Sequence, residues 1–194
     1  PSMGYQDGLP GVFAVQQSQD GARVQRLELS ATDRVMVRDG SRTSETHWFG
    51  YVVPDEDGDL IAHPYTERRL LWTIQWVLER YDVDVNRVVC EGGSMGARGC
   101  MMFGIRHPEI FSAIYPNRPR VVQTNLVDLE GRYYHAEDGA ELPDGTPWVT
   151  RRDAVAYVND HPEGLPFIGW NTGRNDMFQT WGESIDLVEA LEAL

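Results

Sequence analysis

The sequence predicts an α/β protein with a mainly parallel sheet flanked by helices, and three observations carry this. From residue 87 onward, short apolar runs of strand length alternate with stretches of helical period, the order that builds a parallel sheet with right-handed crossovers. Within that order, Gly92-Gly93-Ser94-Met95-Gly96 joins the run Val88-Val89-Cys90-Glu91 directly to a helical stripe, so that a tight strand-to-helix turn carries a serine. Gly173-Arg174-Asn175-Asp176 then follows a further short apolar run, and working groups in such sheets sit at the carboxyl ends of strands.

A length of 194 residues suits one domain with a sizeable core, and the chain is read as one, irregular with short strands over 1–45 and carrying the serine turn and core over 46–194. Hydrophobic content of 41% and six Trp point to a folded chain. No apolar run approaches the roughly 20 residues that span a bilayer, so no membrane partner is expected. The net charge is −13 and all 17 basic residues are Arg. Such acidity argues against a nucleic-acid partner, since phosphate binding rests on cationic contacts. The chain begins at Pro1 rather than Met, so its start says nothing about targeting. Cys90 and Cys100 read as small buried hydrophobes flanking the turn, neither a disulfide framework nor a guide to compartment. No clustered His/Cys spacing is present, so neither a metal nor a cofactor is expected.

Taken in order, residues 1–21 read as loop, rich in Gly, Pro, Gln and Asp. Residues 24–29 and 34–38 are short strand candidates, and 47–53 is a third, broken by 54–58. Residues 66–81 form the clearest helix, with Leu70, Ile74, Val77, Leu78 and Tyr81 on one face. Leu71, Trp72 and Trp76 widen that face, which suggests cover on more than one side, and Thr66 can cap the start. A polar connection over 82–86 leads into the strand 87–91. After the turn, Ala97, Cys100, Met101, Gly104 and Ile105 form a helix stripe that His107-Pro108 ends. Residues 110–115 read as a strand and 117–149 as irregular. Thr150-x-x-Asp153 has the pattern of a capping box opening a helix to about 159. Residues 166–170 are a strand and 171–179 a loop. Thr180-x-x-Glu183 opens the last helix, with Trp181, Ile185, Val188 and Leu191 on one face.

The glycines of the turn have a chemical reason. A nucleophilic serine must be pushed out of a sharp turn, which brings the positions two before and two after it together, so Gly92 and Gly96 carry no side chain to clash. The helix that follows points its positive end at a developing oxyanion, and the Met95 amide N–H is the candidate donor. The plainer reading is a Gly-rich turn whose Ser94 merely caps a helix. Asp176 is the candidate acid that orients and stabilises an imidazolium, against the plainer reading of a turn-forming loop Asp. Asp128, Asp153 and Asp160 are weaker alternatives, because none directly follows a buried strand. In the chain order serine, acid, histidine the base comes last. His47, His63, His107, His135 and His161 all precede Asp176. The base is therefore expected beyond Leu194, and the 194-residue chain alone is expected to be nearly inactive.

These residues carry a resemblance. Thr66-Glu67-Arg68-Arg69 leads into the Trp-rich helix, followed by Asp84-Val85-Asn86-Arg87-Val88, the turn Glu91-Gly92-Gly93-Ser94-Met95-Gly96, Arg106-His107-Pro108-Glu109-Ile110-Phe111, and Gly173-Arg174-Asn175-Asp176. Together they resemble α/β-hydrolases of the esterase group that includes polyhydroxybutyrate depolymerase-like and feruloyl esterase-like enzymes, over about residues 45–194. The resemblance implies Ser94 as nucleophile, Asp176 as acid, a final strand and a His loop past Leu194, and a secreted or periplasmic enzyme. The second oxyanion donor of that family, from an early Gly-rich loop, has no counterpart here.

The expected function is a serine hydrolase that cleaves a carboxylic ester, small or polymeric, through an acyl-enzyme on Ser94. A non-catalytic binding domain of the same fold, or a serine peptidase, are the alternatives, because residues 92–96 do not distinguish ester from amide.

Overall fold

In the computed structural model the described residues are 11–17, 26–30, 34–39, 48–122, 139–176 and 181–194. The central strand lies where the sequence reads as loop. β1 (Gly11–Gln17) falls within residues 1–21, yet it pairs in parallel with β3 (Arg34–Asp39) on one side and with β6 (Val83–Gly93) on the other. Its run Val12-Phe13-Ala14-Val15 is short and set among Gly, Pro and Gln, and it gains its ladder from pairing on both edges. β2 (Arg26–Ser30) pairs antiparallel with β3 at the sheet edge, close to the two strands expected over 24–29 and 34–38.

β4 (Tyr51–Pro54) and β5 (Leu60–His63) form a separate antiparallel pair. Asp55 holds their connection, its Oδ1 accepting from the Asp57 and Asp59 amides at 3.0 and 2.9 Å. Extended structure thus starts at Tyr51, later than the expected residue 47, which lies outside the described residues.

Helix α1 (Tyr65–Arg80) buries Thr66, Leu70, Ile74 and Val77, the expected stripe. Two details differ from expectation. Thr66 is no cap: it is buried in the first turn, and the Phe49 carbonyl accepts from both the Thr66 and Glu67 amides at 3.0 Å. Trp72 is 65% exposed, so the helix is covered on one side, with Leu71 and Trp76 packed at the margin of the core.

β6 begins at Val83, taking in the expected connection over 82–86. Its Val88 and Cys90 are buried while Val89 and Glu91 are half-buried. Helix α2 (Met95–Gly104) follows with the expected buried positions Ala97, Cys100, Met101, Gly104 and Ile105, and it also buries Met102, Phe103 and even Arg98. It ends at Gly104, three residues before His107, through the short turns Arg106 N–H to Phe103 O and His107 N–H to Gly104 O. β7 (Ala113–Asn117) starts later than expected, because the Ile110 and Phe111 amides are spent on the His107 carbonyl in a turn. β7 pairs in parallel with β6 and with β8 (Phe167–Ile168), giving the sheet order β2-β3-β1-β6-β7-β8.

Between them lie α3 (Trp148–Arg151) and α4 (Ala154–Asp160) in place of the one helix expected from Thr150. Asp153 is extended, with φ −115° and ψ 105°, and is itself the cap of α4, its Oδ1 accepting from the Ala156 amide at 2.8 Å. Helix α5 (Trp181–Glu192) buries Ser184, Leu187 and Ala190. That is one position round from the expected stripe, and it leaves Trp181 and Ile185 exposed. Thr180 lies outside the described residues.

The main core joins Val88, Cys90 and Ile114 of the sheet to Leu70, Ile74 and Val77 of α1, Met101 and Phe103 of α2, Val158 of α4 and Leu187 of α5. The helices therefore share the Val88–Cys90–Ile114 face. On the other face Tyr115 and Phe167 are exposed, their rings 6.1 Å apart. A smaller cluster of Phe49, Ala62, Ala140 and Trp148 ties the β4–β5 pair to α3. Among the described residues no helix is long and apolar enough to cross a membrane.

Candidate active site

At the carboxyl end of β6 the chain reverses within one residue. Ser94 has φ 55° and ψ −116°, a conformation that favours Gly, and it is forced by what stands on either side. A Cβ on Gly92 would lie 2.1 Å from the Gly96 carbonyl oxygen and 2.8 Å from the Ala97 nitrogen, so the strand's end and the helix's start touch backbone to backbone. The Ser94 N–H donates to Asn117 O at 3.1 Å, fastening the turn to the end of β7, and Ser94 O accepts from Ala97 and Arg98 at 3.0 and 3.2 Å. The Ser94 side chain makes no capping hydrogen bond. That counts against the plain capping role, in which the hydroxyl would occupy a helix amide. The Met95 amide opens α2, among the N–H groups that have no acceptor inside a helix.

Helix α2 is seated by small residues. A Cβ on Gly99 would meet the Trp48 ring at 2.6–2.9 Å, and one on Gly104 would meet Ile114 Cγ2 at 2.5 Å. Trp48 is fully buried, has φ 73°, and meets Phe103 edge-on with ring centroids 6.1 Å apart. Its Nε1 is buried with no hydrogen-bond partner among the described residues. Beneath the turn the Cys100 thiol donates to Cys90 O at 3.3 Å. Burial and the adjacent Cys100 push the Cys90 thiol well above its ordinary value, so it is an inert packing group.

Asp176 stands in the loop that leaves β8. Asn171 bridges to Asn117, the Arg118 amide donates to Asn171 O at 3.0 Å, and the Asp176 amide closes a turn on Gly173 O at 3.0 Å. Ser94 follows the carboxyl end of β6, and Asp176 lies in the loop that leaves the carboxyl end of β8, two strands away across β7. Asn117 and Arg118 were not picked out from the sequence. Arg118 has a left-handed φ of 59°, unusual for a side chain that is not Gly or Asn, and no local sequence pattern signals it.

The structure places the other candidates away from the turn or outside the described residues. Asp153 caps α4, Asp160 is exposed at its end, and Asp128 lies outside the described residues. His63 stacks on Tyr65 at 5.3 Å, and His161 stacks on Tyr157 at 4.1 Å with its Nδ1 3.0 Å from Tyr157 O. His107 sits past the far end of α2, with Nδ1 2.9 Å from Glu109 and Nε2 3.7 Å from Glu67, the latter a charge contact too long for a hydrogen bond. Burial alone would lower His107, but Glu67 and Glu109 outweigh it and push the imidazole above its ordinary value. Burial alone would raise Glu67, but His107 and Arg151 outweigh it and hold the carboxyl below its ordinary value. His47 and His135 lie outside the described residues. Among the described residues no group of three His, Cys, Asp or Glu could hold a metal ion.

No protein-family model matches the chain, and no curated protein sequence does. Solved structures do. The fluorophosphonate-binding serine hydrolase F of Staphylococcus aureus matches 98% of this chain and 75% of its own length at 12% identity, with a TM-score of 0.60. An S-formylglutathione hydrolase from Agrobacterium tumefaciens matches 94% of this chain and 72% of its own at 16% identity, with a TM-score of 0.57. Prolyl oligopeptidase B from Galerina marginata matches 95% of this chain but 27% of its own at 12% identity, with a TM-score of 0.59. At these identities the likeness is one of fold, and the fold is that of the α/β-hydrolases.

Proposed function

We propose that this α/β-hydrolase-fold chain is a serine hydrolase of carboxylic esters, with Ser94 as nucleophile. The observation that carries the reading is the turn itself: a strained serine, backbone-to-backbone contact between Gly92 and Gly96, and a hydroxyl left free of capping duty at the start of a helix. Ser94 Oγ would attack the ester carbonyl carbon, its proton passing to a base, and the Met95 N–H would hold the oxyanion. The C–O bond to the alcohol then breaks, the alcohol takes the proton, and water cleaves the acyl-enzyme to release the acid. Asp176 would orient the imidazole that shuttles the proton. His107 and His161 each have a ring nitrogen engaged, by Glu109 and by Tyr157 O, and His63 stacks on Tyr65, so the base is sought in His47, His135 or a group from outside this chain.

The test is fluorophosphonate labelling, located by mass spectrometry, together with p-nitrophenyl acetate turnover. Labelling at Ser94 and a loss of about 1,000-fold or more in Ser94→Ala support the reading. Asp176→Asn is expected to lower kcat by about 100-fold or more while the fold is kept. His47→Gln and His135→Gln identify the base if either one abolishes turnover. Because the base is expected beyond Leu194, the decisive comparison is between this chain and one extended past Leu194: a folded extended chain with neither labelling nor Ser94-dependent turnover overturns the reading in favour of a binding domain. The likeness to a prolyl oligopeptidase keeps amide hydrolysis as the alternative, and faster cleavage of peptide p-nitroanilides than of p-nitrophenyl acetate would favour it.

A further inference from the structure

A cleft of about 380 Å³ opens among α3, α4, Leu142 and Arg106 just past α2, within the size range of small-molecule sites. It is not the proposed ester site. Arg106 follows the last turn of α2 whereas Ser94 precedes its first, and a ten-residue helix puts about 15 Å between its ends.

Two cations line this cleft, and both are held still. Arg106 donates from Nη1 to Met102 O at 2.9 Å and lies 4.3 Å over the Tyr157 ring. His161 stacks on the same ring within 14° of parallel, so the wall is a fixed Arg–Tyr–His stack. Arg151 lies 4.8 Å over the Phe49 ring and pairs with Glu67. The two differ in counter-charge. Among the described residues no carboxylate lies within ion-pair distance of Arg106. Asp153 lines the cleft too, but its Oδ1 is taken by the Ala156 amide, and Glu67 is shared between Arg151 and His107. Burial and the charge of Arg151 lower Arg106 to about 9, outweighing Tyr157, Glu67 and Asp153, which act to raise it. Asp160 also lines the cleft, but among the described residues none of these carboxylates pairs directly with the Arg106 guanidinium.

We propose that this cleft binds a small molecule bearing a carboxylate or a phosphate, with Arg106 as the principal receptor and Arg151 as a second cation. A guanidinium presents a planar fork of donors that matches an oxyanion, and one already fixed by ring and carbonyl loses little freedom when the ligand arrives. Leu142, Val149 and Ala156 offer an apolar wall for a short hydrocarbon portion.

Calorimetric titration of the full chain with inorganic phosphate, 3-methylbutanoate and the neutral 3-methylbutanamide tests this. One or both anions are expected to bind saturably at about 1 mM or tighter, more weakly at high salt, and the amide not to bind. Phosphate binding alone assigns a phosphate-bearing ligand, and carboxylate binding alone a carboxylic acid. Arg106→Gln is expected to weaken binding by about tenfold or more, whereas Arg80→Gln, on an exposed side chain of α1, leaves it unchanged. Ala156 is exposed on α4, so Ala156→Trp fills the cleft without disturbing the core and is expected to abolish binding even if Arg106→Gln fails to fold. No saturable binding of either anion, equal binding of the amide, or binding unchanged in folded Arg106→Gln or in Ala156→Trp overturns the proposal.

Discussion

Ser94 combines a backbone that favours Gly with a side chain whose hydroxyl has no structural duty in the turn. Strain of this kind costs on the order of 1–3 kcal/mol and persists only where the surroundings enforce it. Two substitutions separate the strain from the chemistry. Ser94→Gly removes both and is expected to raise stability by about 1 kcal/mol, read as a higher urea midpoint, while abolishing turnover. Ser94→Ala keeps the Cβ and therefore the strain, so it is expected to be inactive without that gain. Equal stability of the two variants would mean that the turn is not strained. Asp153 is the second residue whose effect can be isolated. Asp153→Ala removes the acceptor for the Ala156 amide and is expected to cost about 1 kcal/mol, and Asp153→Asn, which keeps an acceptor, to cost much less.

Among the elements, α1, α3 and the end of α2 meet at Glu67, where His107 and Arg151 converge. The pH dependence of that joint follows from two shifts of opposite sense. His107, raised above its ordinary 6.5, contributes fully below that value and loses its contribution as the pH rises through its raised pKa. Glu67, held below its ordinary 4.5, contributes above that value and loses it as the pH falls through its lowered pKa. Both act together between 4.5 and 6.5. Urea midpoints are therefore expected to fall from pH 6.5 toward 8 in the wild type more than in His107→Gln, and parallel profiles would exclude the joint. The elements themselves were legible in the sequence to very different degrees. α1, the β6–turn–α2 passage and the loop of Asp176 could be read directly, because periodicity and glycines are local signals. β1 could not, since its four apolar residues gain their meaning from partners at Arg34–Asp39 and Val83–Gly93. The buried stripe of α5 was displaced by one position for a related reason: Trp181 and Leu187 lie on adjoining faces of an amphipathic helix, and packing against α4 chose between them. Arg106 was read only as part of a resemblance, because a missing counter-charge is a property of space and not of spacing.

For the molecule as a whole, the strand that leads to Ser94 is flanked by neighbours of unlike origin. On one side β7 returns after a short crossover, matching Val89 to Ala113, and on the other β1 arrives from far up the chain, matching Phe13 to Val88. The backbone contacts that fasten the turn itself, among the described residues, come from the near side: Gly96 against Gly92, and Asn117 accepting from Ser94. The sheet therefore has a sequence of assembly written into it. Closing the long loop to β1 costs more chain entropy than closing the short one to β7, so the unit from Val83 to Asn117 is expected to form first and β1 to slot in afterwards. Pulsed hydrogen exchange during refolding would read this as amide protection within residues 83–117 ahead of residues 11–17, and simultaneous protection would refute it. In that order the serine acquires its strained posture before its sheet is complete, and the last strand to join locks a turn that has already been made.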